Sequence, residues 1–313
     1  MTERSTSEGN PPKPIDSESY RRLVEDRVPD IEIRTCEPIT EGWSSYVLEV
    51  NGELIFRFPR RPEIAHNIEK EILLLPVLAD ALPIRVPRYD VIERDRPDGP
   101  VVFVGYDKIQ GERLKRDALP PESQRRSLAR NIGELLSALH SIPTDGLVAA
   151  HVQPMTVDGW RHAYQEMFDR AQREVFPLLS AGAQRLESAF WHEFLDGDAN
   201  FRFETALVHA DLGPEHVICD FQHGTVAGII DWEDAQVGDP ALYITGLLYE
   251  LGEEFVNDVL ASYAGSVDQG LPKRARFYAR VIPYHQILFG LETEAPAHVR
   301  RGLRRIGSHT VVG

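Results

Sequence analysis

Two carboxylates, Asp211 and Asp231, each stand at the end of an apolar run of β-type residues, Ala206–Val208 and Val226–Ile230. Between them lie a third apolar run, Val217–Cys219, and a polar turn, Asp220–Gly224. A strand, a tight loop and a hairpin would bring Asp211, His216 and Asp231 to one edge of a small sheet. Two acids placed in that way suit phosphoryl transfer. One can orient an acceptor hydroxyl and take its proton, and the other can hold Mg²⁺ against nucleotide phosphates. Positioning and charge neutralisation carry such a reaction, with little covalent chemistry left to the protein. Asp211 fits the first role and Asp231 the second.

The stretch from Leu207 to Pro240 resembles the catalytic and metal-binding loops of the aminoglycoside phosphotransferase family, antibiotic kinases with a protein-kinase-like fold. His209, Asp211, Asp231 and Gly238-Asp239-Pro240 match its pattern. The departure is His216, where the general pattern has Asn; His here is similar to the macrolide and 2''-aminoglycoside kinases. A neutral imidazole binds a divalent ion or a phosphate oxygen, as a softer ligand than an amide oxygen. His209 is grouped with Asp211 at the catalytic loop and is expected to orient it by hydrogen bonds. Asp239 is expected to brace the loop or cap the helix that Pro240 begins. The resemblance implies Mg²⁺ held by Asp231 and His216, with ATP or GTP as co-substrate. It also implies an aminoglycoside-like acceptor, with a macrolide or another hydroxylated metabolite as the alternative.

The elements that must position these groups begin with a short helix near residue 16. A β-meander follows, with strand character expected from Glu32. The Asn51-Gly52 dipeptide between Tyr46–Val50 and Glu53–Phe58 is a strong hairpin signal. The polar turn before it contains Gly42, Ser44 and Ser45, which in a kinase-like lobe would lie over the phosphates. The resemblance places Arg57 where that fold has its phosphate-pairing cation, and Arg can grip phosphate bidentately. Arg60 and Arg61 are the nearby alternatives. Residues 63–80 form a helix with an apolar stripe at Ile64, Ile68, Ile72, Leu75 and Leu78, kinked or broken at Pro76. Glu71 matches the helix acid that pairs with the strand cation, with Glu69 as its rival. Gly105–Gly111 resembles the interlobe hinge, so the backbone of Asp107, Lys108 and Ile109 would read the nucleotide base.

From Pro121 the pattern turns helical. Amphipathic stretches cover 123–141, 158–179 and 183–195, and further helices follow Pro240. Strands first and helices after give an α+β, two-lobed architecture. Its divisions are a flexible tail (1–15), a nucleotide-binding lobe (16–111) and a catalytic and substrate-binding lobe (112–313). Glu233, Asp234, Glu250 and Glu292 are candidate contacts for a cationic substrate.

The net charge of −15 argues against nucleic acid, whose phosphates want Lys and Arg, and is compatible with a cationic small molecule. No run of about 18 apolar residues predicts a membrane span. Two distant cysteines, Cys36 and Cys219, suit a reducing cytoplasm better than a disulfide scaffold. A monomer is expected. Two competing readings remain open. His209, Asp211, His216 and Asp231 could bind a metal and activate water, as in a metallohydrolase. A non-catalytic binding module on a kinase-like frame is the other, although both acids it would have lost are present.

Overall fold

The structure is a computed structural model that describes residues 17–39, 44–116, 119–152, 154–265 and 268–310. The expected tail and the Gly42 turn position lie outside those residues. The chain forms two compact units. The larger comprises 17–161 and 197–279, and the smaller comprises 162–196 with the stretch from residue 280.

In the larger unit, strands β1 (Cys36–Ile39), β2 (Ser45–Val50), β3 (Leu54–Pro59), β4 (Val91–Arg94) and β5 (Val101–Asp107) form one antiparallel sheet. Its order is β1-β2-β3-β5-β4. Asn51 and Gly52 both take positive φ, 56° and 71°, as the two-residue turn between β2 and β3 requires. Residues 32–35 are not part of the sheet. Asn51 occupies their polar groups instead, accepting from the Arg34 and Thr35 amides and donating to the Glu32 carbonyl.

Strand β3 is buried on both faces, and its two-residue period sorts the side chains. Phe56 and Phe58 pack with Leu48, Phe103 and Val24, the last from helix α1 (Ser17–Arg27). Burying such an aromatic contributes about 1.5–3 kcal/mol. Arg57 points the opposite way, towards helix α2 (Pro62–Ala81), whose Ile64 and Ile68 pack on Val101 and Val104. Helix α2 runs unbroken through Pro76, so the local break that this proline could have made does not occur. Pro76 lies on the exposed side, where water can serve the carbonyl left without a donor.

The rest of this unit is mainly helical. Helix α3 (Glu122–His140) packs against α7 (Glu253–Ala261), as well as on β7 (Ala206–Val208) and β9 (Thr225–Ile229). Two very short strands escape sequence periodicity. β6 (Glu112–Arg113) joins β8 (Val217–Asp220) and β9 in a three-stranded sheet, and β10 (Gln236–Gly238) pairs with β7. The extended segment around Arg85 also lies along β9: its amide donates to Ala227 and its carbonyl accepts from Ile229. Gly228 permits that approach, because a Cβ there would stand 2.6 Å from the Arg85 carbonyl oxygen.

Behind the two-stranded sheet, Asp239 is fully buried. It accepts from Arg274 of helix α8 (Leu271–Glu292) at 2.6 and 3.0 Å, from Tyr278 at 2.7 Å and from the Ala241 amide at 2.9 Å. The last contact caps a 3₁₀ turn that precedes α6 (Thr245–Leu251). The expected cap after Asp239 is therefore present, and the rest of the carboxylate ties this turn to helix α8.

The smaller unit draws on α4 (Val157–Glu174), α5 (Ala181–Leu195), the end of α8 and α9 (Pro296–Thr310). Phe168 stacks on Trp191, and buried Glu187 accepts from Arg280 and the Tyr284 hydroxyl. Among the described residues no helix is long and apolar enough to cross a membrane.

Arg274→Met leaves the Asp239 carboxylate buried without its ion-pair partner. It should lower unfolding stability by about 3–5 kcal/mol in chemical denaturation. A loss under about 1 kcal/mol would show that the brace is dispensable.

Candidate active site

Strand β7 leads into His209-Ala210-Asp211, and the β8–β9 hairpin leads into Ile230-Asp231. The two ends are stitched together at Ile230. Its amide donates to the His216 carbonyl at 3.1 Å, and its own carbonyl faces His209 Nε2 at 3.0 Å. Ala210 and Asp231 take φ of 66° and 69°. Left-handed backbone at non-glycine residues persists only where the surroundings impose it, and it concentrates at functional sites.

His216 lies between the two acids. Its Nδ1 is 2.7 Å from the Asp211 carbonyl oxygen, so that nitrogen carries the hydrogen and donates. Nε2 is left facing Asp231 Oδ2 at 3.4 Å. Burial opposes charge on this ring, but Asp231 and Asp211 outweigh it and raise its pKa. The His209 ring is fully buried and packs on Trp232 at 4.6 Å. Burial, with His216 nearby, depresses its pKa to about 4. It braces the loop as expected, with its ring kept from solvent.

Arg57 faces this edge from β3. Its Nη1 donates to both Glu71 oxygens, at 3.0 and 3.2 Å, and to Tyr89 at 3.0 Å. Its Nη2 reaches Glu233 at 3.2 Å and Asp231 at 3.5 Å. Glu71 is fully buried, accepting also from the Tyr89 hydroxyl at 2.8 Å and the Trp232 amide at 3.1 Å. Helix α2, strand β3 and the residue after Asp231 thus meet on one carboxylate. The rival acid, Glu69, pairs with Arg94 instead, and the Arg60 guanidinium lies over the Tyr46 ring.

The acids of the site have different protonation tendencies. Arg57 and His216 hold Asp231 below the usual carboxylate range despite its burial. Asp211 is pushed up to about 6 by its recess, with His216 opposing, while 65% of its side chain stays open to solvent. Glu233 rises to about 7, from burial and the neighbouring Asp231 charge. Burial also raises Asp234, against the pull of Lys70. Asp231 Oδ1 is buried without a hydrogen-bond partner. Its close contact there is the Arg57 ion pair at 3.5 Å, while Oδ2 faces His216 Nε2, and a carboxylate so placed beside an imidazole nitrogen fits a divalent cation. No group of three or more His, Cys, Asp or Glu among the described residues could hold a metal by itself.

The other expected contacts divide. Ser44 hydrogen-bonds Glu233, whereas the Ser45 hydroxyl is buried without a partner. Asp107 is exposed at the end of β5, and Ile109 is buried beside Gly228. The Lys108 amide donates to the Glu53 carbonyl at 2.7 Å, so that N–H is taken, and its ammonium pairs with Glu49 at 2.8 Å. Glu250 lies 3.9 Å from Arg116. Glu292 belongs to the smaller unit, where Arg170 pairs with it at 2.7 Å and takes up its charge. Sequence reasoning missed Tyr89 and Lys70, whose Nζ donates to the Ala235 carbonyl at 3.0 Å. Adjacency to Glu71 was the only available signal for Lys70.

Residues 35–278 match the sequence profile described as the phosphotransferase enzyme family. Viomycin phosphotransferase of Streptomyces vinaceus is 30% identical over 190 residues, covering 60% of this chain and 63% of that protein. The chain therefore spans less than two thirds of that relative's length. The structure of the GDP and kanamycin complex of APH(2")-IIia superposes with a TM-score of 0.86 at 28% identity. That likeness covers 93% of this chain and 97% of the other. A macrolide 2'-phosphotransferase type I gives a TM-score of 0.74 at 22% identity, over 95% and 99% of the two chains, and shares the fold. The two-lobed, kinase-like α+β architecture is common to these structures.

Because His209 has a folded-state pKa below its unfolded value, the unfolded chain binds more protons between about pH 4 and 6.5. Stability is therefore full above pH 6.5 and declines towards pH 4, by up to about 1.4 kcal/mol per pH unit from this group. Denaturation midpoints of wild type and His209→Gln should converge on acidification. Parallel curves would contradict a neutral, buried His209.

Proposed function

The chain belongs to the phosphotransferase enzyme family, and from that premise we propose that it phosphorylates a hydroxyl of a small antibiotic, using the γ-phosphoryl group of ATP or GTP. The observation that supports this most is the convergence of Asp211 and Asp231 through His216, opposite the Arg57–Glu71 pair. Asp211 orients the acceptor hydroxyl and takes its proton. Its carboxylate is open to solvent and, with a pKa of about 6, mostly ionised at neutral pH. Asp231 and His216 would hold Mg²⁺, which when bound neutralises charge on the phosphates. Arg57, aligned by Glu71 and Tyr89, binds phosphate oxygens through the Nη2 side that now faces Glu233 and Asp231. Ser44 and Ser45 contribute at the phosphate-covering turn, and the backbone of Asp107 and Ile109 meets the base.

The acceptor is a cationic, hydroxylated molecule of the aminoglycoside kind. Asp211, Asp231, Glu233 and Asp234 line the site with acid, in a chain of net charge −15. Such a field draws a cation in and holds it. Viomycin is the next acceptor to test, because a viomycin phosphotransferase is 30% identical over the matched region. A macrolide follows, since a macrolide kinase shares only the fold. The cytoplasm is the proposed location, in keeping with Cys36 and Cys219 as free thiols.

A nucleotide-consumption screen with ATP and GTP against aminoglycosides, viomycin and macrolides should show acceptor-dependent turnover with at least one cationic compound. Turnover with Mg²⁺ and acceptor but no nucleotide would point to hydrolysis instead. Asp211→Ala should lower kcat by about 10²–10⁴-fold while nucleotide affinity holds; near wild-type turnover removes its assignment as the base. Asp231→Ala should abolish Mg²⁺-dependent nucleotide binding in calorimetry, and an unchanged Mg²⁺ titration counts against its role.

A further inference from the structure

Helix α2 places two consecutive residues on the same loop. Glu71 accepts the Trp232 amide at the loop's start, and Lys70 donates to the Ala235 carbonyl at its end. Neighbouring helix positions point about 100° apart, so both can reach the loop only because residues 231–235 wrap across the helix. An ordinary helix lysine keeps its ammonium in water. This one is half-buried, gives a hydrogen bond to a main-chain carbonyl and lies near Asp234, Glu71 and Glu233. Burial lowers its pKa against the pull of those acids. Ordering and desolvating an ammonium for one carbonyl is unfavourable unless that carbonyl's place matters.

The loop supplies the reason. Asp231 holds a left-handed backbone conformation that only its surroundings can enforce. Downstream, the Ala235 amide closes a turn onto the Trp232 carbonyl at 3.0 Å, and buried Ala235 leads straight into β10. Release of Ala235 would free that turn and, through it, the residue that follows Asp231.

We propose that Lys70 is a positioning residue for Asp231: by pinning Ala235 it keeps the 231–235 loop closed on helix α2 in the conformation that receives Mg²⁺. This rests on the phosphotransfer reading, because it presumes that Asp231 holds the metal. Lys70 touches no reacting atom and acts only through the loop.

The test compares wild type, Lys70→Met and Lys70→Arg. Hydrogen exchange of the peptide covering 231–238 in the metal-free enzyme should speed up in Lys70→Met, with little change in the sheet of β1–β5. The Mg²⁺ concentration needed for half-maximal binding of a non-hydrolysable ATP or GTP analogue should rise about tenfold, as for other groups that orient metal ligands. The KM for the acceptor should change less than twofold. Lys70→Arg, which keeps the charge and a donor, should restore both readouts most of the way. Unchanged loop exchange, an unchanged Mg²⁺ requirement or equal behaviour of the Met and Arg variants overturns the proposal. A wild type that binds nucleotide without regard to Mg²⁺ removes the phosphotransfer reading itself, and the loop-exchange result then judges the Lys70 contact alone.

Discussion

The arrangement depends on one buried carboxylate. Glu71 is sealed from solvent between the Arg57 guanidinium, the Tyr89 hydroxyl and the Trp232 amide. Taking a carboxylate out of water costs several kcal/mol, and only well-placed donors recover it. Glu71 therefore tolerates little movement of strand β3 or of the residue after Asp231. A buried ion pair adds little net stability compared with apolar packing. What it supplies here is register: β3 and the β8–β9 hairpin, far apart in the chain, must both meet the same helix position. Burial pushes the Glu71 carboxyl upwards while Arg57 opposes it, the balance expected of a group held by its partners.

A second constraint is backbone strain. Ala210 and Asp231 both sit in the left-handed region, at the ends of the two segments that carry the acids. Each such residue costs of the order of 1–3 kcal/mol and needs rigid surroundings. These come from the ties at Ile230, the burial of Trp232 against His209, and the two-stranded sheet of β7 and β10. The sheet in turn is anchored by Asp239, whose oxygens are saturated by Arg274, Tyr278 and the Ala241 amide. Rigidity thus runs from a buried ion pair, through a short sheet, to the loop of Asp211. Preorganisation of this kind is what phosphoryl transfer asks of a protein.

Charge is the third. Glu71, Asp211, Asp231, Glu233 and Asp234 face Arg57, Lys70 and His216, so acid is in excess. The raised pKa values of Glu233 and Asp234 reflect burial among like charges, and the more open Asp211 shares those acidic neighbours. Asp231 alone of the four acids outside the helix is depressed, because Arg57 and His216 are both beside it. A site with this imbalance favours a bound cation, whether a metal or an amine.

Much of this was legible in the chain. Apolar runs ending in Asp211 and Asp231, the Asn51-Gly52 turn and the helical stripe of residues 63–80 are local patterns, and local patterns dictate elements. Arg57 was picked out by resemblance, and the two-residue period of β3 sets it on a different face from Phe56 and Phe58. What periodicity could not carry was pairing at a distance. The two-residue strands β6 and β10 exist only through their partners, and residues 32–35 are held by the Asn51 side chain in place of a ladder. The pairing of Lys108 with Glu49, and of Glu292 with Arg170, could not be read either, because a side chain's nearest opposite charge is set by the fold and leaves no mark in spacing. The clasp of Lys70 and Glu71 on one loop was decided in the same way: residue types fix which groups can donate or accept, but only the folded chain brings a given donor within 3 Å of a given acceptor.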